Sequence, residues 1–257
     1  MKKIRLIIPY FGKLPKFFPY FLLTAKRNQK IDFLIYTDQN VDQFEVLNAD
    51  NIEFKTLSFD DLRKKVQSKF DFEISLKTPY KLCDYKVAYG FIFEEELKGY
   101  DYWGFCDTDV LLGDIYQFLE EHSFFENDYA RYGLLGHLQI FKNSQEVNHV
   151  FMSGQGLNYR LDYHNVFTSE QNFIFDEAEG IQKLFKKSGF EQLQDKFFDD
   201  IDISHFSFRE YGEDEPKRYY SWSQKHGLKS INLIDGKIVI KHPLYLSLIH
   251  ISEPTRP

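Results

Sequence analysis

The chain has 257 residues, and 43% of them are hydrophobic, so it can bury the core of one large domain. Its formal net charge is −7, and no long run of Lys and Arg provides a basic face. Because binding to nucleic acid needs such a face, we expect no nucleic-acid partner.

The two cysteines and the hydrophobic pattern indicate the compartment. Cys83 and Cys106 have neither the number nor the spacing of a disulfide framework or a metal site, which favours a reducing compartment. No window approaches the ~18 apolar residues of a membrane helix, and the first apolar run is too short for a signal peptide. We therefore expect a cytoplasmic protein whose membrane contact is at most peripheral, at the inner face of the cell membrane.

Strands and helices alternate over the first 115 or so residues. Apolar runs that end near a proline or a polar turn predict strands at residues 4–8, 33–37 and 102–106. Alternating apolar and polar residues predict a further strand at residues 52–57. Helices are predicted at residues 16–28, 59–70 and 82–97, the second capped by Ser58 and the third interrupted only by Gly90. This alternation is typical of a Rossmann-like α/β sheet.

The second half is mixed. It is predicted to contain a strand at residues 138–141, a helix from Asn143 and Glu146 through residue 152, a helix at residues 182–187, and a hairpin at residues 231–240. Residues 154–176 show no clear period and are predicted to be site-forming loops. We interpret residues 1–245 as one α/β domain.

The last residues do not resemble the rest of the chain. Residues 246–256 match the translation of a transposon-end sequencing adapter, so residues 246–257 are expected to be a non-native tail that replaces lost C-terminal sequence. Its apolar part is expected to extend the strand pairing that the hairpin begins. From residue 252 onward we expect an exposed, irregular end, because Pro254 and Pro257 remove backbone donors.

The motif with the clearest chemistry is the aspartate pair Asp107 and Asp109, which directly follows the strand at residues 102–106. Two carboxylates at positions i and i+2 of an extended chain point the same way, and strand ends are where open α/β sheets bind ligands. Carboxylate oxygens suit Mg²⁺ or Mn²⁺, which complete their coordination with phosphate oxygens. The pair therefore predicts a divalent-cation site for a diphosphate.

Longer stretches around this motif show a family resemblance. Residues 79–90 and 100–109 resemble a bacterial family of GT-A-like glycosyltransferases found in capsule and exopolysaccharide gene clusters. The likeness continues at residues 7–12, 36–38, 136–137, 141–143 and 175–177. It implies a GT-A fold, a mixed Rossmann-like sheet flanked by helices. It also implies a nucleotide-sugar donor, expected to be a UDP-sugar, a divalent cation, and a polysaccharide, glycan or lipid-linked acceptor.

The resemblance also implies roles for residues that would bind the donor. Pro9, Tyr10 and Phe11 would form the loop that contacts the nucleotide, and Asp38 would approach the base or the ribose. The alternative for Asp38 is a turn residue that ends a strand.

Other residues would bind the diphosphate. Lys86 would meet it with Asp84 orienting the lysine, and Asp107 would contribute to donor binding as well as to the metal site. The alternative for Lys86 is a solvated surface lysine, and for His137 a structural histidine is favoured over a contact with the metal or the donor sugar.

The remaining candidates concern proton transfer and the metal. Asp176 and Glu177 would supply the base of an inverting transferase, or else form an acidic pair at a helix N-terminus. His242 is the candidate third metal ligand.

The sequence is compatible with two other functions. A sugar- or nucleotide-binding module without catalysis would keep the same residues. A phosphatase of the haloacid dehalogenase type also uses a strand followed by Asp-x-Asp. There the motif normally follows the first strand and has Thr or Val two positions after the second Asp, where this chain has Leu111.

Overall fold

The computed structural model describes residues 1–133 and 135–194, apart from the side chain of Val46, and the backbone of five strands after residue 194. The strands are β1 (Ile4–Pro9), β2 (Ile31–Thr37), β3 (Ile52–Thr56), β4 (Tyr102–Cys106), β5 (Val110–Leu112), β6 (Arg131–Tyr132), β7 (Leu138–Lys142), β8 (Gln192–Leu193), β9 (Phe198–Asp202), β10 (Ser207–Tyr211), β11 (Asn232–Ile234), β12 (Lys237–Val239) and β13 (Tyr245–Ser247). The α-helices are α1 (Phe18–Arg27), α2 (Phe59–Gln67), α3 (Leu82–Tyr85), α4 (Tyr89–Ile92), α5 (Ile115–Glu121), α6 (Gln145–Asn148), α7 (Tyr163–Thr168) and α8 (Ile181–Ser188). Within residues 1–194, 3₁₀ segments lie at Asp42–Leu47, Pro79–Lys81, Lys86–Ala88 and Val150–Gly154. Within the described part of the chain, no helix combines the length and apolarity needed to cross a membrane.

The main sheet has seven strands in the order β3-β2-β1-β4-β7-β6-β8. Strands β3, β2, β1 and β4 are parallel, and β7 pairs antiparallel with β4. Alternate residues of β1 enter the two cores: Leu6 packs on the side of α1 and α5, and Ile7 packs on the side of α2 and α8. The predicted fold class, a Rossmann-like mixed α/β sheet flanked by helices, is confirmed.

A second sheet begins directly after the aspartate motif. Its order is β10-β9-β13-β5, and β5 pairs antiparallel with β13. The predicted hairpin pairing is confirmed by β11 and β12, whose turn lies outside the described residues. The predicted extension of that hairpin is wrong, because β13 pairs with β5 and β9 instead. A strand-forming segment pairs with whichever open edge it reaches.

The predicted helix over residues 82–97 is not continuous. It consists of α3, a 3₁₀ turn and α4, and it ends at Ile92. Nearly every residue from 81 to 93 is buried, so no amphipathic period holds the segment in one regular helix. At Gly90, a Cβ atom would lie 2.5 Å from the Trp103 ring, which shows how closely this backbone packs on β4.

Two smaller predictions also change. Ser144, rather than Asn143, caps α6 by accepting a hydrogen bond from the Val147 amide. The Asn143 side chain instead donates to the backbone carbonyls of Leu97 and Tyr100. Residues 154–176, predicted as loops, contain α7.

Candidate active site

A cleft of about 450 Å³ opens at the carboxyl ends of β1 and β4. This is the edge at which open α/β sheets bind ligands. Most of the predicted site residues line it, namely Pro9, Tyr10, Phe11, Lys86, Asp107, Asp109, His137, Asp176 and Glu177. Another depression, of about 620 Å³ beside residues 41–54, is larger but contains none of them. The candidate site is therefore the cleft, because of the side chains that line it.

Hydrogen bonds to two neighbouring elements hold the aspartate motif at the base of the cleft. The Asp107 amide donates to the carbonyl of His137 at 2.9 Å, which continues the pairing of β4 with β7. On the other side of the motif, the Leu112 amide donates to the buried Thr24 hydroxyl of α1 at 3.1 Å. Asp109 is buried between these two anchors.

Lys86 links the carboxylates that the sequence places far apart. Its Nζ lies 2.7 Å from Asp107 Oδ1 and 3.2 Å from Asp176 Oδ2, and it donates to the Gly136 carbonyl at 3.0 Å. Burial acts to lower the pKa of the ammonium, but Asp107 and Asp176 outweigh it, so the Lys86 pKa is raised well above its usual value. Lys86 is therefore a permanent cation within the cleft.

The two carboxylates beside Lys86 differ in their environment. Burial acts to raise the pKa of Asp107, but the opposing effect of Lys86 and His137 is larger, so the pKa lies well below its usual value. The His137 Nδ1 atom is 3.4 Å from Asp107 Oδ2. Asp176 is only 3% exposed, and burial raises its pKa to about 6 although Lys86 lowers it. Among the described residues, Asp176 Oδ1 has no hydrogen-bond partner.

Residues that the sequence does not single out hold Asp176 in place. Gln139 donates through Nε2 to the backbone carbonyl of Asp176, and the buried Arg131 donates to Gln139 Oε1 at 2.9 and 3.1 Å. At Gly136, a Cβ atom would lie 2.5 Å from Asp176 Oδ2, so the turn before β7 approaches the carboxylate closely only because residue 136 is glycine. Gly136 stands in a stretch that carries the family resemblance, whereas Arg131 and Gln139 have no local sequence signal.

The loop after β1 has the predicted position. The Tyr10 amide donates to the Tyr36 carbonyl at 2.8 Å, and the Phe11 ring packs edge-on against Phe59 at 5.4 Å. Asp38 does not line the cleft. Its Oδ1 accepts from the Gly12 amide at 2.9 Å, so it shapes this loop from the side.

The prediction that Asp84 orients Lys86 is wrong. Asp84 is fully buried and contacts Lys81 and the amides of Phe173 and Phe175 instead. It does not line the cleft. The partners that hold Lys86 are Asp107 and Asp176, as described above.

The two cysteines carry no nucleophilic chemistry. Cys83 lines the cleft, and burial raises the pKa of its thiol to about 12. Burial also raises the pKa of Cys106 well above its usual value. Both thiols therefore stay protonated near neutral pH.

The described part of the chain does not form a metal site by itself. No three His, Cys, Asp or Glu side chains converge there closely enough to hold an ion, and His242 lies outside the described residues. The cleft lining nevertheless has more acidic than basic side chains, with the carboxylates of Asp107, Asp109, Asp176 and Glu177 around Lys86. An all-oxygen set of this kind fits a hard cation that takes its remaining ligands from phosphate.

A comparison with protein-family models places the chain in a family. A model for a family of unknown function, DUF6625, matches residues 6–254, and the chain belongs to this family. The matched range extends into the residues expected to be a non-native tail, and that expectation stays a prediction. No curated protein matches the chain. Among solved structures, the chain is similar to the apo form of mouse xyloside xylosyltransferase 1, with a TM-score of 0.49, 10% identity and 96% of each chain covered. The strand order and pairing of the main sheet define the fold class.

Proposed function

We propose that this chain is a GT-A-type glycosyltransferase that moves a sugar from a nucleotide-sugar, expected to be a UDP-sugar, to a glycan or lipid-linked acceptor. The observation that supports this most is the grouping of Asp107, Lys86 and Asp176 in the cleft at the carboxyl ends of β1 and β4. A lysine that carboxylates from two distant segments hold in place can stabilise the negative charge of a diphosphate leaving group.

The charge of the cleft supports the need for Mn²⁺ or Mg²⁺. Among the described lining residues, four carboxylates face one lysine, so an anionic diphosphate would be repelled without added positive charge. Asp107 and Asp109 would hold the cation, which when bound neutralises charge on the diphosphate leaving group. Lys86 provides fixed positive charge beside them, and the loop of Pro9, Tyr10 and Phe11 borders the position for the nucleotide.

Asp176 is the candidate base for the acceptor hydroxyl. Its Oδ1 is buried without a hydrogen-bond partner among the described residues, and its pKa of about 6 lets it accept a proton near neutral pH. Glu177 also lines the cleft and is the second candidate. A base is needed only if the reaction inverts the anomeric centre, so the stereochemistry of the product tests this role.

The biological setting is proposed from the resemblance alone. The stretches at residues 79–90 and 100–109 support a bacterial enzyme of capsule or exopolysaccharide synthesis. A lipid-linked acceptor would place it in the cytoplasm at the inner face of the membrane. Assay of membrane and soluble fractions from cells that express the chain would test this location.

Calorimetric titration of UDP, with Mn²⁺ and with EDTA, tests the donor and cation together. We expect binding only with Mn²⁺, and we expect Asp107→Asn and Asp109→Asn to abolish it while the chain stays folded. Asp128→Asn is the matched control, because Asp128 is a surface carboxylate paired with Lys142. Equal affinity with Mn²⁺ and EDTA would contradict the cation's role.

Release of UDP from a panel of UDP-sugars then tests catalysis. Binding without release would indicate a nucleotide-sugar-binding module. Hydrolysis of p-nitrophenyl phosphate would indicate the phosphatase. The motif's position after β4, behind three earlier strands in the chain, does not favour that alternative.

A further inference from the structure

A buried ion pair lies next to the cleft but does not line it. Lys81 and Asp84 are three residues apart, their side chains are 3% and 0% exposed, and Lys81 Nζ is 2.7 Å from Asp84 Oδ2. Buried charges persist only where their donors and acceptors are satisfied, and such a pair contributes little net stability compared with apolar residues. Its partners therefore indicate what the pair does.

Both members of the pair bind one segment, residues 166–175. The Lys81 ammonium donates to the Val166 carbonyl at 2.9 Å and to the Gln171 carbonyl, so together with Asp84 it has three acceptors for its three protons. The pair thus holds a segment that lies more than 80 residues after it in the sequence.

Asp84 binds the end of this segment that enters the cleft. Its carboxylate accepts from the Phe173 amide at 3.0 and 3.1 Å and from the Phe175 amide at 3.0 Å. Backbone amides that converge on one anion are typical of segments containing a left-handed residue. Here the anion is a side chain of the protein itself.

Ile174, between the two amides, has that conformation. Its φ is +55°, a region that β-branched residues rarely adopt, and its side chain is 52% exposed and lines the cleft. An unfavourable backbone conformation persists only where its surroundings enforce it, and it is found at functional sites more often than elsewhere. The hydrogen bonds from these two amides to Asp84 provide that enforcement.

We propose that Asp84 is a positioning residue for the cleft. By binding the amides on both sides of Ile174, it directs that side chain into the cleft for contact with the bound substrate. It also sets the backbone that leads through Phe175 to Asp176, whose carboxylate reaches Lys86. The catalytic part of this inference rests on the proposed glycosyl transfer, whereas the hydrogen-bond part does not.

Two double variants separate the hydrogen bonds from the buried charge. Lys81→Met with Asp84→Asn removes both charges and keeps the Oδ1 acceptor that the Phe173 and Phe175 amides share. Lys81→Met with Asp84→Leu removes both charges and that acceptor, at similar side-chain size. The two chains therefore differ in whether the two amides have an acceptor.

Amide hydrogen exchange and turnover are then measured on both. In the Asp84→Leu double variant, the amides of Phe173 and Phe175 should exchange at least tenfold faster than in the Asp84→Asn double variant. The kcat for UDP release from a UDP-sugar should fall at least tenfold, while the Kd for UDP with Mn²⁺ changes less than twofold. A purely structural role would lower the Tm without this split between kcat and Kd.

Equal exchange rates, or equal kcat, in the two double variants would overturn the inference. If wild-type chain does not bind UDP, the proposed function fails, and the exchange rates still decide whether Asp84 holds the segment. If the Asp84→Leu double variant does not fold, Ile174→Gly replaces it, because glycine adopts positive φ without strain. Its Tm should equal or exceed that of wild type, with turnover reduced at least threefold. Unchanged turnover would overturn the contact assigned to Ile174.

Discussion

Replacing Lys86 by methionine removes the cation between two carboxylates and keeps a side chain of similar length. Lys86 Nζ is 2.7 Å from Asp107 and 3.2 Å from Asp176, so the variant leaves both carboxylates without their common partner. Removal of one member of a buried ion pair costs about 3–5 kcal/mol. Because the Asp107 side chain is 31% exposed and partly screened by water, we expect the lower limit, about 3 kcal/mol.

Urea unfolding and thermal melting at pH 8 measure this loss. For a chain of this length, about 3 kcal/mol corresponds to a fall in Tm of roughly 6–12 °C. Lys98→Met is the matched control, because Lys98 forms an exposed pair with Glu95 and its removal should leave the Tm unchanged. A Tm of Lys86→Met equal to that of Lys98→Met would refute the structural importance of the buried pair.

The same variant tests where the divalent cation binds. Without Lys86 the cleft is more negative, so Mn²⁺ should raise the Tm of Lys86→Met by more than it raises the Tm of wild type. Lys98→Met should respond to Mn²⁺ as wild type does. If Mn²⁺ shifts all three chains equally, the cation does not bind beside Asp107.

Three further outcomes follow from contacts in the structure. The pKa of Asp176 is raised from 3.8 to about 6, so between these values the folded chain binds more protons than the unfolded chain. The free energy of unfolding of wild type, measured in urea from pH 4 to 8, should therefore fall relative to Asp176→Asn as pH rises to about 6 and then level off. Gly136→Ala places a Cβ atom 2.5 Å from Asp176 Oδ2, so UDP release should fall at least tenfold while UDP affinity in calorimetry is retained. Gly90→Ala forces a Cβ atom to 2.5 Å from the Trp103 ring, and urea unfolding should show a loss of about 1–3 kcal/mol.

Elements with a local signal could be predicted from the sequence. The strands β1, β2 and β4 are apolar runs, β3 alternates, and the helices between β1 and β2 and between β3 and β4 are typical of parallel strands. Ser58 caps α2 as predicted, because its side chain accepts from the Asp61 amide. The position of Asp107 in a cleft at the end of β4 also follows from its place after a buried strand.

Features that depend on distant residues could not be predicted. Asp176 is supported by Gln139 and Arg131, but neither residue lies in a pattern that distinguishes it from other buried polar residues. The pairing of β5 with β13 joins residues more than 130 positions apart and has no sequence signal. The sequence therefore offers Asp176 as a candidate base, but the contacts that hold it form only when the sheet brings these segments together.

Helical geometry excludes a direct contact between Asp84 and Lys86. Residues two positions apart on a helix point about 200° away from each other, so Asp84 cannot orient Lys86. Residues three apart share a face: Lys81 pairs with Asp84, and Cys83, Lys86 and Tyr89 line the cleft. One short helical segment therefore has two separate tasks. One face holds the chain segment that leads to Asp176, and the other supplies the cation that its carboxylate meets.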